Sequence, residues 1–509
     1  MSASGRMRFV LVPCALLIAN STPARADLGV AISAVQPLNA NAATDIGDDF
    51  RVSLATDRSG HWVATWATEF VDGSSIDNDG DILVARSIDN GQNWSNPIPL
   101  NTDAAVDLRF DGSPRIATDG QGHWVAVWEA ADLFQDFEIM VARSGDNGAS
   151  WTAPVRLNTN VGDSAADHNP QVAADGQGHW VAVWSSSGFA GTDSDLLFAR
   201  SVDNGANWSF PAPLNTNALG DAGFDQAPSI ATDGHGDWVV VWESANRANG
   251  TMGEDNDIWV ARSVDNGANW SVAAQLDPNA DVDNRYDSEP SLVTDGAGHW
   301  LTVWQSEEDG SHEDEIFLAR SLDNGASWTT PATMIADATT DGASDVSPTI
   351  AADSLGDWVA IWNSSGATGQ SVRVARSIDN GANWSAPGPL FNAGGGFPDL
   401  VTDGRGNWLA AWESDGDFDG TDTDLDILTA RFALPDCNDN LIGDPLETAL
   451  FLAPDLNFNN VPDVCELPFA LPPTVQPAGC GGGMCGVGAA AIAPLCIVGV
   501  SALRRSLRR

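Results

Sequence analysis

Two short stretches near the end of this 509-residue chain carry the side chains best suited to hold a metal ion. Asp436-Cys-Asn-Asp-Asn-Leu-Ile-Gly-Asp-Pro-Leu-Glu447 and Asp455-Leu-Asn-Phe-Asn-Asn-Val-Pro-Asp-Val-Cys-Glu466 both place oxygen donors at positions 1, 3, 5, 9 and 12. That is the spacing with which a twelve-residue loop wraps Ca2+. Asp436, Asn438, Asn440, Asp444 and Glu447 form the first set, and Asp455, Asn457, Asn459, Asp463 and Glu466 the second. The glycine usual at position 6 is replaced by Leu441 and Asn460. Asparagine tolerates the sharp turn there and leucine does so badly.

A second store of carboxylates lies upstream. D-x-x-x-D recurs at Asp45/Asp49, Asp107/Asp111, Asp163/Asp167, Asp221/Asp225, Asp283/Asp287 and Asp341/Asp345. Asp81, Glu138, Asp195, Asp257, Glu315 and Asp426 each stand five residues before a recurring arginine. Crowded carboxylates repel one another unless cations or hydrogen bonds compensate them. The set therefore either collects calcium or a cationic ligand, or caps local turns and leaves a solvated face. Seventy acidic residues against 23 basic ones, all arginine, give a net charge of −47, which argues against nucleic acid or an anionic membrane as partner.

The elements that position these side chains come from a repeat. S-x-D-x-G-x-x-W begins at Ser87, Ser144, Ser201, Ser263, Ser321 and Ser377, at intervals of 56 to 62 residues. Each copy lies between two apolar runs, so it reads as a hairpin turn: Asp265 and Asn266 can bond their own backbone, Gly267 can take positive φ, and Trp270 can fold back as a lid. A longer motif, D-x-x-G-x-W-x-x-x-W, has its first tryptophan at 62, 124, 180, 238, 300, 358 and 408, seven copies in all. Each unit predicts four strands, for example 228–232, 238–243, 257–262 and 270–276. The seventh unit ends at Ala430-Arg431-Phe432 without a turn box or fourth strand, while AVQPLN at 34–39 copies the PAPLN ending at 211–215. The expected fold is thus an all-β, seven-bladed β-propeller of four-stranded antiparallel blades closed by the N-terminal strand. Paired tryptophans four residues apart point to one face and are expected between blades. Arg86, Arg143, Arg200, Arg262, Arg320, Arg376 and Arg431, and the histidines at 61, 123, 179 and 299, occupy repeated positions. They are read as structural, the arginines as partners for turn residues of the Asp57 type.

The turn box resembles the Asp-box, or bacterial neuraminidase repeat, of the sialidase-like β-propellers, over roughly residues 32–432. The resemblance implies boxes between third and fourth strands, on the face away from any active site; sialidases have six blades, and the count here is seven. A sialidase-like mechanism needs three arginines for the substrate carboxylate, a tyrosine nucleophile activated by a glutamate, and an aspartate acid/base. The residues it would draw on are Arg51, Arg109, Arg285, Tyr286 with Glu289, and Asp49. Arg51, in Phe50-Arg51-Val52, resembles the family's Phe-Arg-Ile-Pro start without its proline. Arg285 and Tyr286 are adjacent, so their side chains diverge, and an acidic rim repels an anionic sialoside. The favoured reading is a non-catalytic binding or adhesion propeller for an extracellular glycan or protein, expected to be monomeric. The alternative is an exo-α-sialidase or related glycoside hydrolase. The two calcium loops resemble dockerin-type and thrombospondin type 3 loops.

The ends of the chain read as export and anchoring signals. Arg6 and Arg8, the apolar run 9–19 and Ala24-Arg25-Ala26 make 1–26 a secretory signal that takes Cys14 with it. The propeller then spans 27–433, the calcium-binding loop pair 434–466 and a Pro-rich linker 467–478. Cys437 and Cys465 stand at corresponding edges of the two loops and are expected to form a disulfide in an oxidising envelope. The final segment, 479–509, holds a Cys-Gly motif with Cys480 and Cys485, an apolar run at 487–503 and four terminal arginines. It resembles tripartite C-terminal sorting signals of bacterial envelope proteins, which implies a membrane sorting protease as partner; otherwise the run is a plain transmembrane helix anchor. Either way the propeller is expected outside the cytoplasmic membrane, at the bacterial cell surface.

Overall fold

The second strand of each repeat must bury two faces, and the fourth unit shows how its sequence meets that demand. Trp-Val-Val-Val-Trp-Glu-Ser-Ala-Asn forms the second strand, Trp238–Asn246, and each of its side chains is buried. It pairs antiparallel with an inner strand, Asp225–Thr232, and a third strand, Met252–Ser263, which pairs in turn with a short outer strand, Ala274–Gln275. At the first turn, Asp233 Oδ1 accepts from the N–H groups of His235 at 2.7 Å and Asp237 at 3.1 Å. At the turn box, Asp265 Oδ1 accepts from the Ser263 hydroxyl and the Asn269 N–H, both at 2.9 Å, and Gly267 takes φ 74°. The glycine also serves packing, because a Cβ there would lie 2.5 Å from Val181 Cγ2 of the preceding blade.

The computed structural model describes residues 31–433 except 40–46, 70–79, 102–108, 132–135, 159–165, 188–192, 217, 219, 221–222, 247–251, 278–284, 308–312, 336–341, 355, 367–368, 393–394 and 415–423. The segments read from sequence as signal, calcium loops, linker and anchor, with all six cysteines, lie outside the described residues. Within them the chain is all β, in seven antiparallel sheets with four strands in six of them. The seventh sheet takes its outer edge from the start of the chain: Gln36 pairs with Thr429 and Pro37 with Leu428, and further along Ala31 pairs with Ala433. The expected ring closure is thereby formed.

All fourteen paired tryptophans are at most 1% exposed, and they fill the joints between blades. Trp408 and Trp412 pack on Val359, Ile361 and Val374 of the sixth blade. Trp62 and Trp66 pack on Leu409, Ala411 and Ile427 of the seventh, with Leu38 of the closing segment beside them. Burial of such side chains stabilises by roughly 2–3 kcal/mol each, so the blades hold one another in place.

Three details differ from the sequence reading. The outer strand is two residues long rather than the span 270–276, because the box turn keeps Trp270 out of the ladder, against Phe198 with ring centroids 6.0 Å apart. Most copies also carry a proline in this stretch (Pro97, Pro154, Pro211, Pro331, Pro387), which has no N–H to pair. The inner strand begins three residues before Pro228. Finally, the recurring arginines do not pair with the Asp57-type residues, whose carboxylates hold His61, His123, His179 and His299 at 2.6 Å. Arg143 and Arg200 instead donate to the main-chain oxygens of Asn204 and Asn266 in the next blade's box, both at 2.6 Å. Where the histidine position holds Asp237 or Asp357, Arg262 and Arg376 turn to that carboxylate, at 2.8 and 2.6 Å.

Candidate functional site

The inner strands of the seven blades enclose a channel along the ring axis, and each of them carries a β-bulge at the same place near one mouth. The bulged residue has left-handed backbone in every blade: Arg51 (φ 58°), Ser113 (48°), Asn169 (53°), Ala227 (48°), Glu289 (52°), Ser347 (51°) and Phe397 (40°). Non-glycine residues adopt this conformation at a cost of about 1–2 kcal/mol each, and persist in it only where the surroundings hold them. In four of the seven, the holding group comes from the preceding blade. The side chain after its second paired tryptophan reaches across: Glu413 accepts from Arg51 N–H at 3.0 Å, Glu129 from Asn169 N–H at 3.3 Å, Glu243 from Glu289 N–H at 3.4 Å and Gln305 from Ser347 N–H at 2.8 Å.

The seven bulged residues line a cavity of about 430 Å³, and they differ from blade to blade whereas the packing residues behind them repeat. Arg51 lies over the Phe397 ring, 3.6 Å from its centroid. Beneath the mouth, Arg115 and Asp399 interact as opposite charges, and Asp399 accepts from Leu54 N–H at 2.6 Å across the seam between the last and first blades. At three other joints a serine makes this link: Ser53 to Ile116 N–H at 3.3 Å, Ser229 to Leu292 N–H at 3.1 Å and Ser291 to Ile350 N–H at 3.3 Å. Burial pushes the Glu243 carboxyl up to about 7, with the nearby Glu289 charge adding to the shift. Burial also raises Glu413 and Asp399. Glu129 is the exception: burial acts upward on it, but hydrogen bonds from His168 and Ser113 outweigh that and hold it low.

Of the residues singled out from the sequence, Arg51 and Glu289 line the channel. Arg109 lines a separate cavity of about 120 Å³ beside Asn101, Trp128 and Arg156 in the second blade. Arg285 lies over Phe317, 4.9 Å from its centroid. Tyr286 is half-exposed on the fifth blade, and its hydroxyl accepts from Asn256 Nδ2 at 2.8 Å. Burial, and then the Glu243 charge, raise its ionisation above the usual tyrosine value. Asp49 is fully buried, held by Asn39 Nδ2 at 2.8 Å.

That last contact belongs to a pattern that revises the acidic-rim reading. The second aspartate of each D-x-x-x-D pair and the acid five residues before each arginine are buried between blades rather than solvated. At the joints described in full, one asparagine amide donates to both: Asn39 to Asp49 and Asp426, Asn101 to Asp81 (2.6 Å) and Asp111 (3.2 Å), Asn158 to Glu138 and Asp167, and Asn215 to Asp195 (3.0 Å) and Asp225 (2.6 Å). The amide is oriented by its oxygen, which accepts a backbone N–H at 3.1 Å in three of them. Trp128 and Trp242 also donate to these aspartates, at 2.6 and 2.9 Å. Among the described residues no group of three or more histidine, cysteine or carboxylate side chains is arranged to hold a metal ion. The two calcium loops and Cys437, Cys465, Cys480 and Cys485 lie outside them.

Fold and site together define a seven-bladed Asp-box propeller with a variable channel mouth opposite its boxes. The chain belongs to the family of BNR repeat-like domains, whose description matches residues 122–409. Among solved structures, it is similar to a protein of unknown function from Dyadobacter fermentans (13% identity, 80% of this chain and 100% of that one, TM-score 0.49). It is likewise similar to a Hadza microbial sialidase (14% identity, 76% of this chain and 65% of that one, TM-score 0.42) and to an α-L-arabinanase of Penicillium chrysogenum (16% identity, 62% and 92%, TM-score 0.43). No curated protein matches the chain.

Proposed function

We propose that this chain is an exported, surface-tethered binding propeller whose ligand, an extracellular glycan or protein, enters the channel at the mouth ringed by Arg51, Ser113, Asn169, Ala227, Glu289, Ser347 and Phe397. The observation that carries the reading is the contrast between walls and mouth: the joints repeat the same tryptophans and carboxylates, while the mouth presents seven positions with six residue types. Binding needs such local variety; stability does not. A non-catalytic role is favoured by Tyr286, whose hydroxyl is harder to ionise than usual, the reverse of an activated nucleophile. It is favoured also by the scatter of Arg51, Arg109 and Arg285 over three environments. In this reading the loops of Asp436 to Glu447 and Asp455 to Glu466 bind two Ca2+ ions and are clamped by Cys437–Cys465, and the segment with Cys480 and Cys485 is handled by a membrane sorting protease.

The test is a glycan array probed with the full chain, with and without calcium, beside a fluorogenic sialoside assay. Expected are binding that falls at least tenfold in Arg51→Ser and no turnover. Sialoside hydrolysis that disappears in Tyr286→Phe would replace this reading with the exo-α-sialidase one.

A further inference from the structure

Arg51 and Glu289 sit three blades apart the short way round a ring of seven, the widest separation the ring allows. Both line the same cavity. Neither the Arg51 guanidinium nor the Glu289 carboxylate makes a hydrogen bond or ion pair with another of the described residues. Between them, Ser113, Asn169, Ala227 and Ser347 are small or neutral. The guanidinium carbon lies 3.6 Å from the centroid of the Phe397 ring, a contact that restrains it at little cost in hydrogen-bonding capacity. Among the described residues, the mouth therefore presents one cation and one anion without a hydrogen-bonded partner on opposite sides of the ring, above the Arg115 and Asp399 charges that interact with each other in the same cavity.

We propose that the channel mouth selects a zwitterionic ligand, with its carboxylate or comparable anion on Arg51 and an ammonium on Glu289. The inference rests on the reading of this mouth as the binding site. The net charge of −47 supports it: a field of that sign repels a monoanion approaching Arg51, whereas a ligand of zero net charge meets no such barrier and is oriented by the two local charges. Glu243 and Glu413, behind the two charges, accept the backbone N–H groups of Glu289 and Arg51 and so hold both residues in their left-handed conformation.

Calorimetric titration of the full chain with 4-aminobutanoate, 6-aminohexanoate and 8-aminooctanoate, beside hexanoate and hexylamine, tests the inference. At least one amino acid of the series is expected to bind tenfold or more tightly than either singly charged control. Glu289→Ser should erase the advantage over hexanoate, and Arg51→Ser the advantage over hexylamine. Serine is chosen because Ser113 and Ser347 already occupy the same backbone conformation, and wild-type melting temperatures establish that the variants fold. Hexanoate or hexylamine binding as tightly as every amino acid, or no probe binding at all, overturns the proposal. A glycan from the array that lacks a cationic group, yet loses binding in both variants, would end the zwitterion inference and leave the channel reading standing. Binding untouched by either substitution would end the channel reading itself.

Discussion

Carboxylates in this chain titrate in two opposed directions, and the difference follows from where each one sits. Asp167, between the second and third blades, is pushed up to about 7 by burial, against the hydrogen bond from Asn158 and with the Glu138 charge adding to the rise. Glu243 at the channel is raised to about 7 for the same leading reason. The box aspartates Asp146, Asp203 and Asp323 go down, because Ser150, Asn207 and Ser327 donate to their ionised form. A carboxyl whose folded pKa is raised contributes stability fully below its unfolded value, near 4, and loses it as pH climbs through the folded value near 7. A lowered one contributes above about 4 and loses its share on further acidification. The melting temperature is therefore expected to rise as pH is lowered from 8 to about 5, and to fall again below about 4. Asp167→Asn, which keeps the shape and removes the titration, should flatten part of the upper slope. A melting temperature that is level or falling between pH 8 and 5 would contradict this assignment of the buried groups.

At the level of the element, the box glycine distinguishes backbone geometry from packing. Gly120, in a turn at the end of an inner strand, has φ 70° and its nearest potential neighbour, Asp57 O, 3.8 Å from a Cβ. Gly267 has nearly the same φ, 74°, but would meet Val181 Cγ2 at 2.5 Å. Alanine at either site bears the left-handed cost of about 1–2 kcal/mol; at Gly267 it should lose a further 1–3 kcal/mol, roughly, by forcing the fourth blade off the third. Urea unfolding of Gly120→Ala and Gly267→Ala compares them, and equal losses would show that the box does not set blade spacing. The turns and tryptophans were legible because they answer to local rules: Asp265 bonds residues within four positions, and Trp238 and Trp242 share a face by strand periodicity. The channel mouth was only half legible. Proline three residues after Asp111, Asp167, Asp225, Asp287 and Asp345 marks either an edge position or a bulge, and in these inner edge strands it marks both. What stabilises the left-handed residue before it is distant, as with Glu413 and Arg51, 362 positions apart. The buried carboxylates were misread as a rim for the same reason: the recurring Asn39, Asn101, Asn158 and Asn215 that bind them lie 9 to 20 positions away along the chain and, at the seam, 387.

A ring of blades gains from every joint only if its last joint closes, and here that joint depends on a few short pairings. Gln36 and Pro37 meet Thr429 and Leu428, Leu38 N–H donates to Ile427 O at 2.7 Å, and Leu38 itself is 2% exposed among Trp62, Trp66 and Leu409. Opening this seam would uncover the tryptophans of the first blade and the Asn39 bridge together, so the seam is the expected point of first failure on heating. A disulfide between Gln36→Cys and Thr429→Cys, partners 393 positions apart, restrains that opening. A disulfide between Arg373→Cys and Pro389→Cys, directly paired within the sixth blade, restrains one hairpin. Loop-closure entropy alone favours the longer link, about 6 against 3 kcal/mol, and the seam argument adds to that margin because the link acts where unfolding begins. The oxidised seam variant is therefore expected to melt several degrees above both the wild type and the oxidised hairpin variant, and to lose the gain on reduction. If the two links stabilise equally, or the hairpin link does more, the ring fails first somewhere other than its closing strand, and the first blade's tryptophans are held by their neighbours without the help of Leu38.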